Sequence, residues 1–342
     1  MRTIRTTIKD VANKAGVSPA TVSLVLNDRP VPIPQRTKDK VISAARELHY
    51  RPNQLAVGLV TKKTNTIGLI LPDNSNLFFA TYTNKLEAAA SKMGYNVIFG
   101  NTNNSIEKTL EYLQMFADRG VDGIILMQSE FNSKKKTDSC LAAIKELPIP
   151  VLLIDRVPTD SASGAVILDH FKGGYLAVKH LLDLGHERIG YITGSSSLNL
   201  MVHRLNGCKE ALAEKGIPFD PALVFEGDLQ LTSGINALPY LLGQNVTAIF
   251  AFNDMIAYGI YKELRNYQLN IPDDLSVIGF DDLIFSDVIQ PPLTTASQPL
   301  EEMADAVIER LVNLIEERLV EPNTTRVFAP VLKVRGSTKR LT

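Results

Sequence analysis

The sequence is poor in cysteine and lacks any long apolar run. Its 342 residues include only two cysteines, Cys140 and Cys208, far apart and without metal-ligand spacing, which argues against a disulfide framework and against a structural metal site. No apolar stretch approaches the ~18 residues that cross a bilayer, so we expect no membrane role. The opening residues, MRTIRTTIKDVANKAG, lack the apolar core of an export signal, so we expect a cytoplasmic protein.

Motifs of several enzyme classes are missing as well. The chain has neither a GxGxxG nor a P-loop pattern, so nucleotide-dependent chemistry lacks its usual phosphate cradle. Ser195, Ser196 and Ser197 stand together, but no GxSxG surrounds them and none of the five histidines can be placed as their base. We therefore predict no catalytic residue, no cofactor and no metal, that is, a protein that is not an enzyme.

Charge is distributed unevenly along the chain. Residues 1–63 hold 12 Lys and Arg against 4 Asp and Glu, net +8, whereas the rest holds 24 against 33, net −9. Lys and Arg gain affinity for nucleic acid by displacing counterions from phosphates. The basic end therefore indicates an anionic polymer as partner, with a solvated basic tail as the alternative.

The basic segment is patterned as short helices. In TIKDVANKAG, Thr7 is suited to the N-cap, Asp10 to the third position and Gly16 to the helix end. A second helix follows at once, capped by Ser18 with Pro19 in its first turn, and two short helices joined by a tight turn form a helix-turn-helix. PIPQRTKDKVISAARELHY predicts a third helix with Val41, Ile42, Ala45 and Leu48 facing inward.

Leu24 is the unusual residue of the second helix. At ~100° per residue it lies opposite Val22 and shares the outward face with Ala20 and Asn27. An exposed apolar side chain on a helix in the major groove can contact the methyl group of thymine. Leu24 is thus predicted to read a T·A pair; the alternative is that it closes a contact with the third helix.

From Thr66 onward, short apolar runs alternate with longer amphipathic segments. TIGLIL, NVIFG, DGIILM and PVLLID form one predicted set of strands, and AVIL, RIGYIT, ALVFEG, TAIFAF and LSVIGF form a second. Such alternation predicts an α/β fold with doubly wound parallel sheets in two similar lobes. RVFAPVLKVRGS is expected to cross back between the lobes near the end of the chain.

Polar and aromatic side chains follow several of these predicted strands. Open parallel sheets bind ligands beyond the carboxyl ends of their strands, and a cleft between lobes is a usual small-molecule site. Carboxylate, guanidinium and amide groups suit a polyol, because each hydroxyl both donates and accepts hydrogen bonds. Each of these residues also has a structural interpretation, as a helix cap, an ion-pair partner or a core residue. The candidates are Asn76, Phe78, Phe79, Asp155, Arg156, Arg204, Asn253, Asp281 and Gln298.

TIKDVANKAGVSPATVSLVLN and RTKDKVISAARELHYRPNQLA resemble the DNA-binding head of the LacI family of bacterial transcription regulators. The resemblance implies that the second helix enters the major groove, and that a hinge helix forms on the operator, where Leu59 wedges between base pairs of the minor groove. Leu24 stands where arginine is frequent in this family. The implied DNA-binding residues are Thr7, Ser18, Pro19, Ala20, Thr21, Ser23, Leu24, Asn27, Asn53, Ala56 and Leu59.

The body resembles periplasmic sugar-binding proteins of the ribose type, whose contacts match all nine cleft candidates. The resemblance implies a type I periplasmic-binding-protein fold and an effector such as ribose or a similar pentose. The implied domains are a helix-turn-helix domain (1–51), a hinge helix and linker (52–64), and an effector-binding and dimerisation domain (65–342). Within the last we expect one lobe at about 65–163 and 296–323 and the other at about 164–293 and 324–342.

These observations predict a sugar-responsive repressor that binds a near-palindromic operator as a homodimer, since paired heads and hinges need a twofold partner. The chain ends at STKRLT without the leucine heptads of a tetramer, which also favours a dimer. The alternative is a soluble sugar-binding or sugar-modifying protein whose basic N-terminal segment has another task. The helix-turn-helix and the missing export signal favour the repressor.

Overall fold

The computed structural model describes residues 6–27, 31–50, 63–127, 134–155, 165–318 and 325–341. The chain divides into two compact units, Met1–Thr64 and Asn65–Thr342. Within the described ranges, no helix is both long and apolar enough to cross a membrane.

The first unit contains three helices, α1 (Ile8–Ala15), α2 (Pro19–Leu26) and α3 (Gln35–Glu47). The backbone N–H and the hydroxyl of Thr7 each donate to the Asp10 carboxylate at 2.8 Å, and Gly16 ends α1 with a left-handed φ of 67°. Ser18 accepts a hydrogen bond from the backbone N–H of Thr21 at 3.1 Å. These contacts confirm the predicted caps and the tight turn between α1 and α2.

A small apolar core joins the three helices. Val11, Val22 and Val41, one from each helix, are fully buried within it. Ile42, predicted to face inward, is 38% exposed. At ~100° per residue Ile42 lies beyond the edge of the stripe that Val41, Ala44 and Ala45 form, so its side chain reaches solvent.

The second unit is built on two six-stranded sheets. The strands are β1 (Thr66–Leu71), β2 (Asn96–Asn101), β3 (Gly123–Met127), β4 (Val151–Ile154), β5 (Val166–Leu168), β6 (Ile189–Thr193), β7 (Val224–Glu226), β8 (Ala248–Ala251), β9 (Ser276–Asp281), β10 (Thr294–Ser297), β11 (Arg326–Phe328) and β12 (Val331–Lys333). The first sheet has the order β2-β1-β3-β4-β5-β11 and is parallel. The second has the order β7-β6-β8-β9-β10-β12, and among its described pairs only β10–β12 is antiparallel.

Helices connect most of the parallel strands, as in βαβ units, whereas β9 and β10 are joined by a loop with one short turn at Ile284–Ser286. Central strands are covered on both sides, and Ile249 and Phe250 of β8 are fully buried. This confirms the predicted doubly wound α/β fold with two lobes. The helices are α4 (Leu77–Lys92), α5 (Ile106–Asp118), α6 (Lys134–Glu146), α7 (His170–Asp183), α8 (Asn199–Glu214), α9 (Leu231–Gly243), α10 (Asp254–Leu264) and α11 (Leu300–Ile315).

The chain passes between the lobes after β5, after β10 and between β11 and β12. The AVIL segment was predicted to open the second lobe, but Val166 of β5 pairs with Ile154 of β4 in the first sheet. Arg326–Phe328, expected in the second lobe from residue 324, pairs with β5 and extends the first sheet. Residues from 296 onward were expected in the first lobe, but β10 (294–297) pairs with β9 and so belongs to the second sheet. Three- and four-residue strands carry too little pattern to assign their sheet from the sequence.

Helices α7 and α8 of the second lobe pack in close contact through two glycines. A Cβ atom on Gly174 would lie 2.0 Å from the carbonyl oxygen of Arg204, and one on Gly207 would lie 2.0 Å from that of Phe171. Only glycine permits this approach of the two backbones. The contact brings the first residue of α7, His170, beside Arg204 in the middle of α8.

Candidate ligand site and DNA-binding surface

One cleft of the second unit brings the predicted ligand residues together. Arg156, the ninth candidate, lies outside the described residues. The other eight candidates all line the cleft: Asn76, Phe78, Phe79, Asp155, Arg204, Asn253, Asp281 and Gln298.

Half of these eight side chains, including Gln298 after β10, are placed by the ends of parallel strands. Asp155 follows β4, Asn253 follows β8, and Asp281 is the last residue of β9. The first lobe contributes Asn76, Phe78, Phe79 and Asp155, and the second contributes Arg204, Asn253 and Asp281. A ligand in the cleft would therefore contact both lobes, as expected for a site at the carboxyl ends of open sheets.

Two asparagines of the cleft also cap helices. The Oδ1 atom of Asn76 accepts from the backbone N–H of Phe78 at 3.0 Å, and that of Asn253 accepts from Ile256 at 2.8 Å. Asn253 further donates through Nδ2 to the carbonyl oxygen of Leu229 at 2.8 Å. The structural interpretation as helix caps is therefore confirmed at both positions, and the caps fix the two side chains at the cleft wall.

The Asp281 carboxylate accepts a hydrogen bond from Gln298 Nε2 at 2.7 Å. The register of the sheet explains this contact. Asp281 of β9 pairs with Ser297 of β10, and Gln298 is the residue directly after Ser297. Burial raises the pKa of Asp281 well above its ordinary value, and the nearby Arg204 cation partly opposes that rise. The carboxyl group is thus a buried acceptor that lacks an ion-pair partner within the described chain.

Arg204 supplies the positive charge of the cleft. Its side chain is 4% exposed, and its guanidinium carbon lies 3.4 Å from the centroid of the Phe280 ring. Nη1 donates to the carbonyl oxygen of Phe252, and Nε and Nη2 lie 3.3 and 3.2 Å from Nδ1 of His170. Burial lowers the pKa of Arg204 to about 10, against the attraction of Asp281 and Asp155. Arg204 therefore remains a cation at neutral pH.

The aromatic and apolar wall of the cleft is more extensive than predicted. Phe78 and Phe79 are both buried, with ring centroids 5.3 Å apart in an edge-to-face arrangement. The sequence analysis missed four further lining residues, Leu200, Met201, Leu229 and Phe252. Two signals could have found some of them: Phe252 directly precedes Asn253, and Leu200 precedes Arg204 by one helical turn.

The predicted DNA-binding residues of α2 lie on its accessible side. Ser18, Pro19 and Ala20 are exposed, and Thr21, Ser23, Leu24 and Asn27 are half-buried. Two of the polar side chains are engaged locally: the Thr21 hydroxyl lies 2.9 Å from that of Ser18, and Asn27 Nδ2 donates to the carbonyl oxygen of Ser23 at 2.9 Å. Thr7, at the start of α1, is exposed and bonded to Asp10. Three predicted positions, Asn53, Ala56 and Leu59, lie outside the described residues.

Leu24 is half-buried, but it is not among the apolar residues that pack on the core of the described helices. Its neighbours Val25 and Leu26 do pack there. The outward position predicted from helical geometry therefore agrees with the structure.

Groups that could hold a metal ion were also sought. No cluster of three or more His, Cys, Asp or Glu side chains with suitable geometry occurs among the described residues.

Comparison with known proteins accounts for both units. Residues 7–53 match the family of bacterial regulatory proteins, lacI family, and residues 178–338 match a periplasmic binding protein-like domain. The HTH-type transcriptional regulator DegA of Bacillus subtilis (strain 168) is 36% identical over 342 residues, which cover 99% of each chain. This chain belongs to the lacI family of bacterial regulatory proteins.

Solved structures agree with the family. A lac repressor dimer bound to operator and the anti-inducer ONPF matches with a TM-score of 0.86 at 27% identity, covering 98% of this chain and 99% of that one. A LacI family regulator from Enterococcus faecium with bound ribose matches with a TM-score of 0.71 at 31% identity, covering 81% of this chain and 100% of that one. The protein is a DNA-binding transcription regulator with a sugar-binding type of domain, and not an enzyme.

Proposed function

We propose that this regulator is a repressor whose affinity for its operator is controlled by ribose or a similar pentose bound in the cleft. The observation that carries the proposal is the convergence of eight polar and aromatic side chains, predicted as sugar contacts, on one cleft between two lobes. The protein binds a near-palindromic operator as a homodimer, with α2 of each copy in a major groove.

The chemistry of the cleft supports a polyol. Arg204 only donates hydrogen bonds, the carboxyl oxygens of Asp155 and Asp281 can accept them, and Asn253 and Gln298 do both. Phe78 and Phe79 offer apolar surface to the C–H face of a sugar ring. The similar regulator from Enterococcus faecium holds ribose. Together these points favour a monosaccharide over a larger ligand.

The cleft can control DNA binding because its ligand contacts come from both lobes. A ligand that bridges Asp155 of the first lobe and Arg204 or Asp281 of the second stabilises one arrangement of the lobes over others. Operator affinity changes with that arrangement, so the ligand and the operator affect each other's binding reciprocally.

Isothermal titration calorimetry with a panel of pentoses, hexoses and purines tests the ligand class. We expect saturable heat with D-ribose or another pentose and none with purines. The proposal is contradicted if only a purine gives heat of binding, or if none of the sugars in the panel does.

Leu24 is proposed to select a T·A pair. Operators are obtained by selection from random duplexes with the wild-type protein and with Leu24→Ala. We expect one thymine per half-site to be enriched only by the wild-type protein, because the leucine contacts its methyl group. Identical preferences of the two proteins would contradict this role.

The homodimer is supported by an exposed apolar patch on the second lobe. Ile284, Phe285 and Val288, which lie in and next to one short turn, are 74%, 48% and 65% exposed. Contiguous exposed apolar side chains mark interaction surfaces. The similar lac repressor is a dimer, which supports a second copy of the chain as the proposed partner of this patch.

Light scattering after size exclusion tests this surface. We expect Ile284→Asp with Val288→Asp to yield monomers that bind the selected operator at least about tenfold more weakly, because one head reads only a half-site. Val327→Asp is the control, since Val327 is 57% exposed but belongs to the first sheet. A dimeric double variant would contradict the assignment.

A further inference from the structure

His170 is a buried histidine for which the sequence analysis found no role. It is 8% exposed and is the first residue of α7. The preceding residue, Asp169, donates its backbone N–H to the carbonyl oxygen of Phe328 in β11 at 2.7 Å. His170 thus stands where the chain passes from the first lobe into the second.

The imidazole of His170 is the hydrogen-bond acceptor for Arg204. Nε and Nη2 of Arg204 lie 3.3 and 3.2 Å from Nδ1 of His170. A guanidinium group only donates hydrogen bonds, so Nδ1 carries no proton and the proton of the neutral ring is on Nε2. Burial, with the charges of Arg204 and His203, lowers the pKa of His170 well below its ordinary value.

His170 and the other contacts of Arg204 together fix the plane of the Arg204 guanidinium group. The Phe252 carbonyl oxygen accepts from Nη1, and the Phe280 ring covers one face. Three contacts therefore use three of the five N–H donors of Arg204, and the remaining two are available to a ligand in the cleft. The close packing of α7 on α8 at Gly174 and Gly207 prevents the two side chains from separating.

The acceptor atom, Nδ1 of His170, is neutral, so it orients Arg204 without reducing its positive charge. A carboxylate in the place of His170 would also orient Arg204, but it would cancel most of the positive charge. Within the described chain, no carboxylate forms an ion pair with Arg204, although Asp281 and Asp155 act on it from further away. An electron-rich ligand oxygen therefore meets an oriented cation that is not directly ion-paired, which makes a stronger hydrogen bond than a neutral donor.

We propose that His170 is a positioning residue of the ligand site, which holds Arg204 as an oriented cation by accepting two of its hydrogen bonds with a neutral ring nitrogen. This rests on the proposed function, in which Arg204 binds the sugar.

Calorimetric titration with D-ribose tests the role of the neutral acceptor. We expect His170→Ala to weaken ribose binding by about 10- to 100-fold, the range for losing the orientation of a charged hydrogen bond. His170→Asn keeps a neutral acceptor and stays within about threefold of wild type, whereas His170→Asp orients the cation but cancels its charge and loses at least about tenfold.

His180 provides the matched control on the same helix. It is partly buried and bonded through Nε2 to the Thr338 hydroxyl at 3.0 Å, away from Arg204. His180→Asn should leave ribose affinity unchanged. If His170→Asn binds as weakly as His170→Ala, or if His170→Ala binds as tightly as wild type, the positioning role is overturned.

A second measurement, without sugar, separates this proposal from the choice of ribose. In nitrogen-15 NMR spectra of the full chain we expect unprotonated Nδ1 and protonated Nε2 at His170, with an Arg204 Nε–H resonance that shifts in His170→Ala and is retained in His170→Asn. If these signals occur while no sugar binds, the ligand class is wrong and the positioning of Arg204 stands. A proton on Nδ1 of His170 at neutral pH overturns the proposal.

Discussion

Asp281 and Asp282 are neighbours in the chain, yet their carboxyl groups have opposite environments. Asp281 faces the cleft, is bonded to the neutral amide of Gln298, and has a pKa that burial raises. Asp282 is also partly buried, which by itself would raise its pKa. Contacts to Lys333, Arg335 and Ser297, at 2.5, 2.7 and 3.0 Å, outweigh that effect and lower it.

The difference separates a proposed ligand-binding group, Asp281, from an anchoring group, Asp282. We call Asp282, Lys333, Arg335 and Ser297 the anchor cluster. It ties the end of β9 to β12, the strand that follows the last passage between the lobes. Asp281 lacks such compensation within the described chain, and a buried acceptor of this kind is suited to a ligand hydroxyl. The stability of the anchor cluster holds Asp281 in place.

The largest effect is expected from Asp282→Ala. Removing the carboxylate leaves Lys333 without this partner and leaves the largely buried Arg335 with the exposed carboxylate of Asp287, so we expect the free energy of unfolding to fall by about 2–3 kcal/mol. Urea denaturation of the second unit measures it. Asp287→Ala is the control, because Asp287 contacts the same Arg335 at 3.3 Å but is 78% exposed; a surface pair contributes less than about 1 kcal/mol. Equal effects of the two substitutions would remove the anchoring role.

Asp281→Asn is expected to act in the other direction on stability. The asparagine amide keeps an acceptor for Gln298, and the substitution removes a buried, poorly compensated carboxylate. We therefore expect the free energy of unfolding to rise by about 1 kcal/mol at pH 7. Ribose binding should be lost in the same variant. A less stable Asp281→Asn protein would show that the carboxylate serves the fold and not the ligand.

The two carboxyl groups should also respond to pH with opposite sign. The pKa of Asp282 is lowered below the ordinary 3.8, so its stabilisation is full above that pH and is lost as pH falls through the lowered pKa. The pKa of Asp281 is raised, so the stability advantage of Asp281→Asn is absent below 3.8, grows as pH rises above 3.8 and is complete above the raised pKa. Unfolding free energies of the variants at several pH values check both slopes; parallel profiles would contradict the comparison.

The smallest effect concerns Ser297, which donates its hydroxyl proton to Asp282 at 3.0 Å. Two cations still hold the carboxylate in Ser297→Ala, so we expect a loss of about 1 kcal/mol in unfolding free energy. Ribose affinity should not change, because the Asp281–Gln298 contact remains. A large loss of affinity would show that the anchor cluster and the cleft are a single unit.

The sequence predicted the polar part of the cleft because position relative to strands is a property of the pattern. Asn253 and Asp281 stand at the ends of apolar runs, and parallel sheets gather such ends at one edge. Leu200, Met201 and Phe252 were missed because an apolar side chain at a cleft wall has the same pattern as one in the core.

His170 and the sheet membership of β5 depend on long-range contacts. The contact of His170 with Arg204 joins residues 34 apart and requires the glycine packing of α7 on α8. The first-sheet position of β5 requires pairing with Arg326–Phe328, more than a hundred residues later. Periodicity within a window of residues carries neither piece of information.

Operator binding in the presence and absence of D-ribose tests the central claim most directly. Fluorescence anisotropy with the selected operator would be recorded for the wild-type protein and for Asp281→Asn. We expect ribose to change the operator affinity of the wild-type protein at least about fivefold and that of Asp281→Asn not at all, while both bind the operator equally without sugar. An operator affinity that ribose leaves unchanged in the wild-type protein, or changes equally in both proteins, would contradict the account.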